Sequence, residues 1–146
     1  MKTGRRPIAA LIAAGQARAA LADAPPSAPE AGQVVRVTLV TFATRLSTKA
    51  LHSGEVTSIV TNDAPDLTHE FFLVQTQLSP QDLPLDAEGR IEEESPRIHK
   101  IVSIEDLQPG QQGQATVHLD AGHYVYFCNI NFHHLVGMRG ELTVKP

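Results

Sequence analysis

Cys128, His133 and Met138 fall five residues apart in the stretch Phe127-Cys128-Asn129-Ile130-Asn131-Phe132-His133-His134-Leu135-Val136-Gly137-Met138. A thiolate, an imidazole and a thioether together make a soft donor set. Soft sulfur ligands favour copper, and a plane of two His and one Cys with a long axial Met is a copper geometry. This loop supplies one His for such a plane, so a second must arrive from elsewhere in the chain. His69 is the best placed. It follows the turn-rich run Asn62-Asp63-Ala64-Pro65-Asp66 and opens an apolar strand, Glu70-Phe71-Phe72-Leu73-Val74. His134 competes with His133, but adjacent residues on an extended segment point opposite ways, so one of the two faces a shared ion, and the even spacing favours His133. Competing structural readings exist for each residue. A free Cys packs as a small hydrophobe and Met fills irregular core gaps, and a His at a loop end is commonly a hydrogen-bonded loop residue. His52, His99, His118 and His123 lack comparable surroundings and read as surface or strand residues. Tyr124, Tyr126 and Phe127 read as core.

The elements that must position these side chains read as strands. Val34 to Phe42 is apolar and β-branched, Glu55 to Thr61 alternates, and Gln114 to Leu119 places Ala115, Val117 and Leu119 on one face. Glu70 to Gln77, His99 to Ile104, His123 to Asn129 and Gly140 to Lys145 complete about seven strands. Thr44 to Leu51 is ambiguous and has room for a short helical turn. Leu78 to Pro96, with Pro80, Pro84, Gly89 and Pro96, reads as a long excursion outside the core. Short strands between frequent turn signals favour an antiparallel sandwich. There is no GxGxxG, P-loop or GxSxG, so nucleotide-binding and hydrolase readings have no motif.

The 146 residues are enough for one domain. Lys plus Arg number 12 and Asp plus Glu 16, a net charge of −4 that argues against a nucleic-acid binder. No apolar run approaches the length of a membrane span. Residues 1–22 read as a signal peptide: Lys2, Arg5 and Arg6 lead an apolar stretch from Ile8, and Ala20-Leu21-Ala22 fits a cleavage site. Residues 23–33 then form a flexible lead-in and 34–146 the folded domain. The leader holds four basic residues (Lys2, Arg5, Arg6, Arg18) and no acid, so its removal takes the net charge from −4 to −8. Six acids between Asp82 and Glu94 stand against one Arg and read as a solvated loop. One cysteine excludes an internal disulfide.

The two chemistry-bearing segments resemble those of the cupredoxins, the plastocyanin and azurin class of small copper proteins. The resemblance runs from about Val34 to Val144. It rests on Gly54-Glu55-Val56-Thr57, Val60-Thr61-Asn62 and His69-Glu70-Phe71 in the early half, and on Tyr124-Val125-Tyr126-Phe127-Cys128-Asn129 and Gly137-Met138-Arg139-Gly140-Glu141-Leu142-Thr143-Val144 in the late half. It implies an all-β Greek-key sandwich of seven to eight strands. It implies one copper ion, cycling between Cu(I) and Cu(II), with His69, Cys128 and His133 equatorial and Met138 axial, and a Glu70 amide aimed at the Cys128 sulfur. The implied role is one-electron transfer between redox partners, by transient docking of a monomer in the periplasm or outside the cell. With every coordination position filled by protein, catalysis is not expected. Copper delivery or storage, and a metal-free interaction module, are the alternatives. Where many relatives carry Pro-Gly before the late His, this chain has Asn131-Phe132. Phe resists positive φ, so a different loop path, or a Phe132 that shields the site, is expected there.

Overall fold

The structure is a computed structural model that describes residues 31–146. The expected leader and most of the lead-in lie outside the described residues. Nine strands follow in order: β1 (Gln33–Val40), β2 (Ala43–Leu46), β3 (Ala50–His52), β4 (Gly54–Asn62), β5 (His69–Gln75), β6 (His99–Leu107), β7 (Gln112–Leu119), β8 (Gly122–Phe127) and β9 (Arg139–Lys145). They form two facing sheets, β2-β1-β4-β7 and β3-β9-β8-β5-β6, and the chain crosses between them in Greek-key fashion. The fold is therefore the all-β sandwich that the strand spacing predicts, with two differences. Both sheets are mixed, because β1 runs parallel to β4 and β3 parallel to β9. The ambiguous run from Thr44 to Leu51 holds no helical turn; it contributes to β2 and β3, two short edge strands.

Alternation explains the first sheet. In β4 the side chains of Val56, Ser58, Val60 and Asn62 are buried while their neighbours are partly exposed, the period-2 pattern of a half-buried strand. The central strands of the second sheet behave differently. From Phe71 to Val74 and from Tyr124 to Phe127 every residue is buried, which requires cover on both faces. One face meets the other sheet, where Phe71, Leu73, Tyr124 and Tyr126 pack with Val37, Leu39, Val56 and Val60. The other face carries Phe72, Val74, Val125 and Phe127, and these pack with Leu83, Ile91 and Ile98. The excursion between β5 and β6 is thus a core element, contrary to expectation. It carries a 3-10 turn (Pro80–Asp82) and a bridge from Leu85 to Ile91. Its apolar residues lack any period, so the Pro and acid content hides them. Phe72 and Phe127 stack at 5.3 Å across β5 and β8.

No helix among the described residues is long and apolar enough to cross a membrane.

Candidate metal centre

His69 opens β5, and Cys128 directly follows β8, the strand beside it. Pairing of Phe72 with Phe127 fixes the register of the two strands, so the two side chains meet at one end of the sandwich. Two further devices hold His69 in place. Asn62, fully buried, donates from Nδ2 to the carbonyls of Leu67 (2.8 Å) and Leu107 (2.7 Å) and accepts from the Ala64 amide (3.0 Å), pinning the loop that leads into His69. A bulge between His69 and Phe71 against β6 frees the intervening amide, and that amide, from Glu70, donates to Cys128 Sγ at 3.3 Å.

The loop from Asn129 to Gly137 is a chain of tight turns. The His133 amide donates to the Ile130 carbonyl, the Leu135 amide to Phe132 and the Met138 amide to His133, while the Cys128 amide bonds the Met138 carbonyl at 3.0 Å and closes the loop at its base. Phe132 takes φ +60°. The loop therefore keeps a left-handed residue before the late His, although phenylalanine occupies the position. Gly137 is required by sterics, because a Cβ there would lie 2.6 Å from the Phe42 carbonyl oxygen. Phe42, also left-handed at φ +58°, sets its ring edge-on to His133 with centroids 5.6 Å apart.

The result is a buried cluster of His69, Cys128 and His133, whose donor atoms all lie within 4.8 Å of one another. Cys128 Sγ stands 3.9 Å from His69 Nδ1 and 3.5 Å from His133 Nδ1. An ion about 2.3 Å from sulfur and about 2.0 Å from nitrogen, at bond angles of roughly 110–130°, requires sulfur–nitrogen separations of roughly 3.5–3.9 Å, so the three donors are spaced to hold one. The two rings meet at 5.0 Å. Met138 is fully buried, its backbone bonded to both Cys128 and His133. His134 is also buried but belongs to no such cluster, and neither of its ring nitrogens has a hydrogen-bond partner.

Burial sets the electrostatics. It pushes the Cys128 thiol up, against the pull of the Ile130 and Glu70 amides. It lowers His69, with the neighbouring His133 adding to the effect, and it lowers His133. These shifts favour uncharged side chains: neutral imidazoles ready to coordinate, and a thiol that ionises when a cation arrives to share its charge. Glu70 is pushed up to about 7, first by burial and then by Glu105, Asp106 and Glu93, with Arg90 opposing.

His52, His99 and His118 are exposed strand residues, and His123 bonds Glu141 at 2.8 Å. Tyr124, Tyr126 and Phe127 are core. No sequence pattern marked Asn129, buried immediately beside the cysteine, or Phe42 against His133. The turn residues around Asn62 did mark that loop.

No family model matches the chain, and no curated protein matches it. Solved structures do. Reduced auracyanin from Roseiflexus castenholzii is 20% identical, with 80% of this chain covering 99% of that one at a TM-score of 0.58. Auracyanin B is 22% identical, with 83% and 93% covered and a TM-score of 0.56. The copper protein rusticyanin is 20% identical, with 79% and 80% covered and a TM-score of 0.57. The chain thus has the cupredoxin fold of auracyanin and rusticyanin, with a buried His-Cys-His cluster at one end of the sandwich.

Proposed function

We propose that this protein binds one copper ion in a type 1 site and carries single electrons between redox partners outside the cytoplasm. The observation that carries this reading is the buried cluster of His69, Cys128 and His133, spaced to share one ion. The copper description of rusticyanin, a structure of the same fold, supports it. His69, Cys128, His133 and Met138 would hold the ion. Bound there, copper supplies one-electron Cu(I)/Cu(II) chemistry.

The chain's own residues do the rest. β5 and β8 are buried on both faces, so His69 and Cys128 sit on a close-packed frame that resists rearrangement between oxidation states. The Glu70 amide withdraws electron density from the sulfur, one way in which contacts beyond the ligands tune a metal. His133 is nearest to solvent, at 9% exposure. Phe42, Phe132, Leu135 and Val136 are exposed on its own loop or beside it. This apolar rim is the docking surface for transient partners, and the acidic excess steers cationic ones. With those four side chains holding the ion, no position would be left for a substrate, which supports a carrier over a catalyst. The basic and apolar features of residues 1–22 support export, and the carrier acts as a monomer.

Titration of the protein with Cu(II) tests the reading. An intense visible thiolate-to-copper band, absent in Cys128→Ser, is expected, together with reversible voltammetry and retention of copper after reduction. Absence of the band sinks the copper reading. A band accompanied by ready loss of copper on reduction replaces electron carriage with copper delivery.

A further inference from the structure

Between Cys128 and His133 lie four residues, Asn129 to Phe132, and both ends of this spacer are held by one structure outside the ligand loop. Asn129 is buried at 8% exposure. Its Oδ1 accepts from the Ile91 amide at 2.7 Å, and its Nδ2 donates to the Ile91 carbonyl at 3.1 Å and to Glu93 Oε1 at 2.9 Å. The two bonds to Ile91 are reciprocal, as in one rung of an antiparallel ladder. Ile91 is itself fixed: its side chain is buried against Phe72, Val74 and Phe127, and its backbone bridges Leu85. The turn between Leu85 and Ile91 is tied by the Asp86 amide to the Arg90 carbonyl at 2.8 Å and by the Arg90 amide to Asp86 Oδ1 at 2.9 Å. At its tip stands Gly89, with φ +77°. A Cβ on Gly89 would come within 2.7 Å of Phe132 Cε1, so the Phe132 ring rests on the bare glycine backbone.

The geometry points to Asn129 as a positioning residue for the metal centre, acting with the Phe132–Gly89 contact to clasp the four-residue spacer and so set the separation of the Cys128 and His133 donors. The inference rests on the copper reading and adds to it a role for the excursion. A left-handed phenylalanine is strained, and the clasp supplies a reason for the ring to be held there. Asn129 touches no ligand atom; it acts through the backbone that joins it to Cys128. Loss of contacts of this kind commonly weakens metal binding by about 10–100-fold.

Two readouts decide the proposal, one of which needs no copper. Amide hydrogen exchange across residues 128–133 is measured on the metal-free protein, and the thiolate–copper band and the rate of copper loss to a chelator on the loaded one. In Asn129→Ala and in Phe132→Ala, faster exchange confined to this segment, a shifted band and copper loss faster by about tenfold or more are expected, with Val34→Ala, exposed on β1, as the unchanged control. Asn129→Asp removes the donor to both the Ile91 carbonyl and Glu93 and sets two carboxylates face to face, so it behaves like Asn129→Ala. Adding Glu93→Gln returns a donor to the Glu93 contact alone and restores part of the slow exchange and slow release. Wild-type exchange and release in a folded Asn129→Ala overturn the proposal; if that variant does not fold, the same result in Asn129→Asp overturns it. A wild-type protein with no thiolate–copper band defeats the copper reading alone, since the exchange arm still decides the clasp.

Discussion

The backbone amide of Glu70 donates to the sulfur of Cys128 at 3.3 Å, joining two residues 58 positions apart. The bond exists because a bulge takes Glu70 out of the ladder to β6. A hydrogen bond to a thiolate reduces its donor strength and disfavours the more oxidised metal. Glu70→Pro deletes this donor and leaves the ligands in place. Voltammetry should show a lower reduction potential, and circular dichroism an unchanged sandwich.

His133 and His134 are neighbours with different surroundings. His133 Nδ1 lies 3.5 Å from the sulfur, whereas both nitrogens of His134 are buried without partners. His133→Ala should abolish the thiolate–copper band, and added imidazole should restore part of it through the opening that the missing ring leaves. His134→Ala should keep the band.

Met138 is the expected axial ligand, and its backbone closes the base of the loop whatever its side chain. Met138→Leu should therefore retain copper. Fewer donors favour Cu(I), so the potential should rise, with a shifted visible spectrum as the second check.

Leu135 and Val136 are exposed at 46% and 57% beside the late His. Electron self-exchange between oxidised and reduced protein, followed by NMR line broadening, probes this surface without a known partner. Val136→Asp puts like charges into that encounter and should slow self-exchange by about tenfold, with the visible band unchanged.

Far from the site, His123 is raised above its ordinary value by its hydrogen bond to Glu141 and by that to the Thr76 carbonyl. A group raised on folding stabilises the protein fully below its unfolded pKa of about 6.5. That stability is lost as pH rises through the higher folded value. Thermal unfolding of the wild type and His123→Gln should thus differ most below about pH 6 and converge at alkaline pH.

The residues that the sequence marked and those it hid differ for physical reasons. The alternation of Val56, Val60 and Val117 announces half-buried strands, and the spacing of Cys128, His133 and Met138 needs only one loop to make sense. Phe42 hides the break between β1 and β2, because a bulky residue at φ +58° carries no turn signature. Parallel pairing of β1 with β4 depends on distant partners that no local pattern records. Leu83 and Ile91 look like stray apolar residues among prolines and acids until Phe72 and Phe127 are seen beneath them. Asn129 belongs with these, since its partners lie 36 and 38 residues away.

His69 and Cys128 stand 59 positions apart in a chain whose single cysteine denies it a disulfide. An ion gripped by both is a cross-link. By chain-entropy arithmetic, closing a loop of that length restricts the unfolded chain by about 4 kcal/mol. The metal would then serve the fold as the missing staple, and the metal-free protein should melt at a lower temperature than the loaded one.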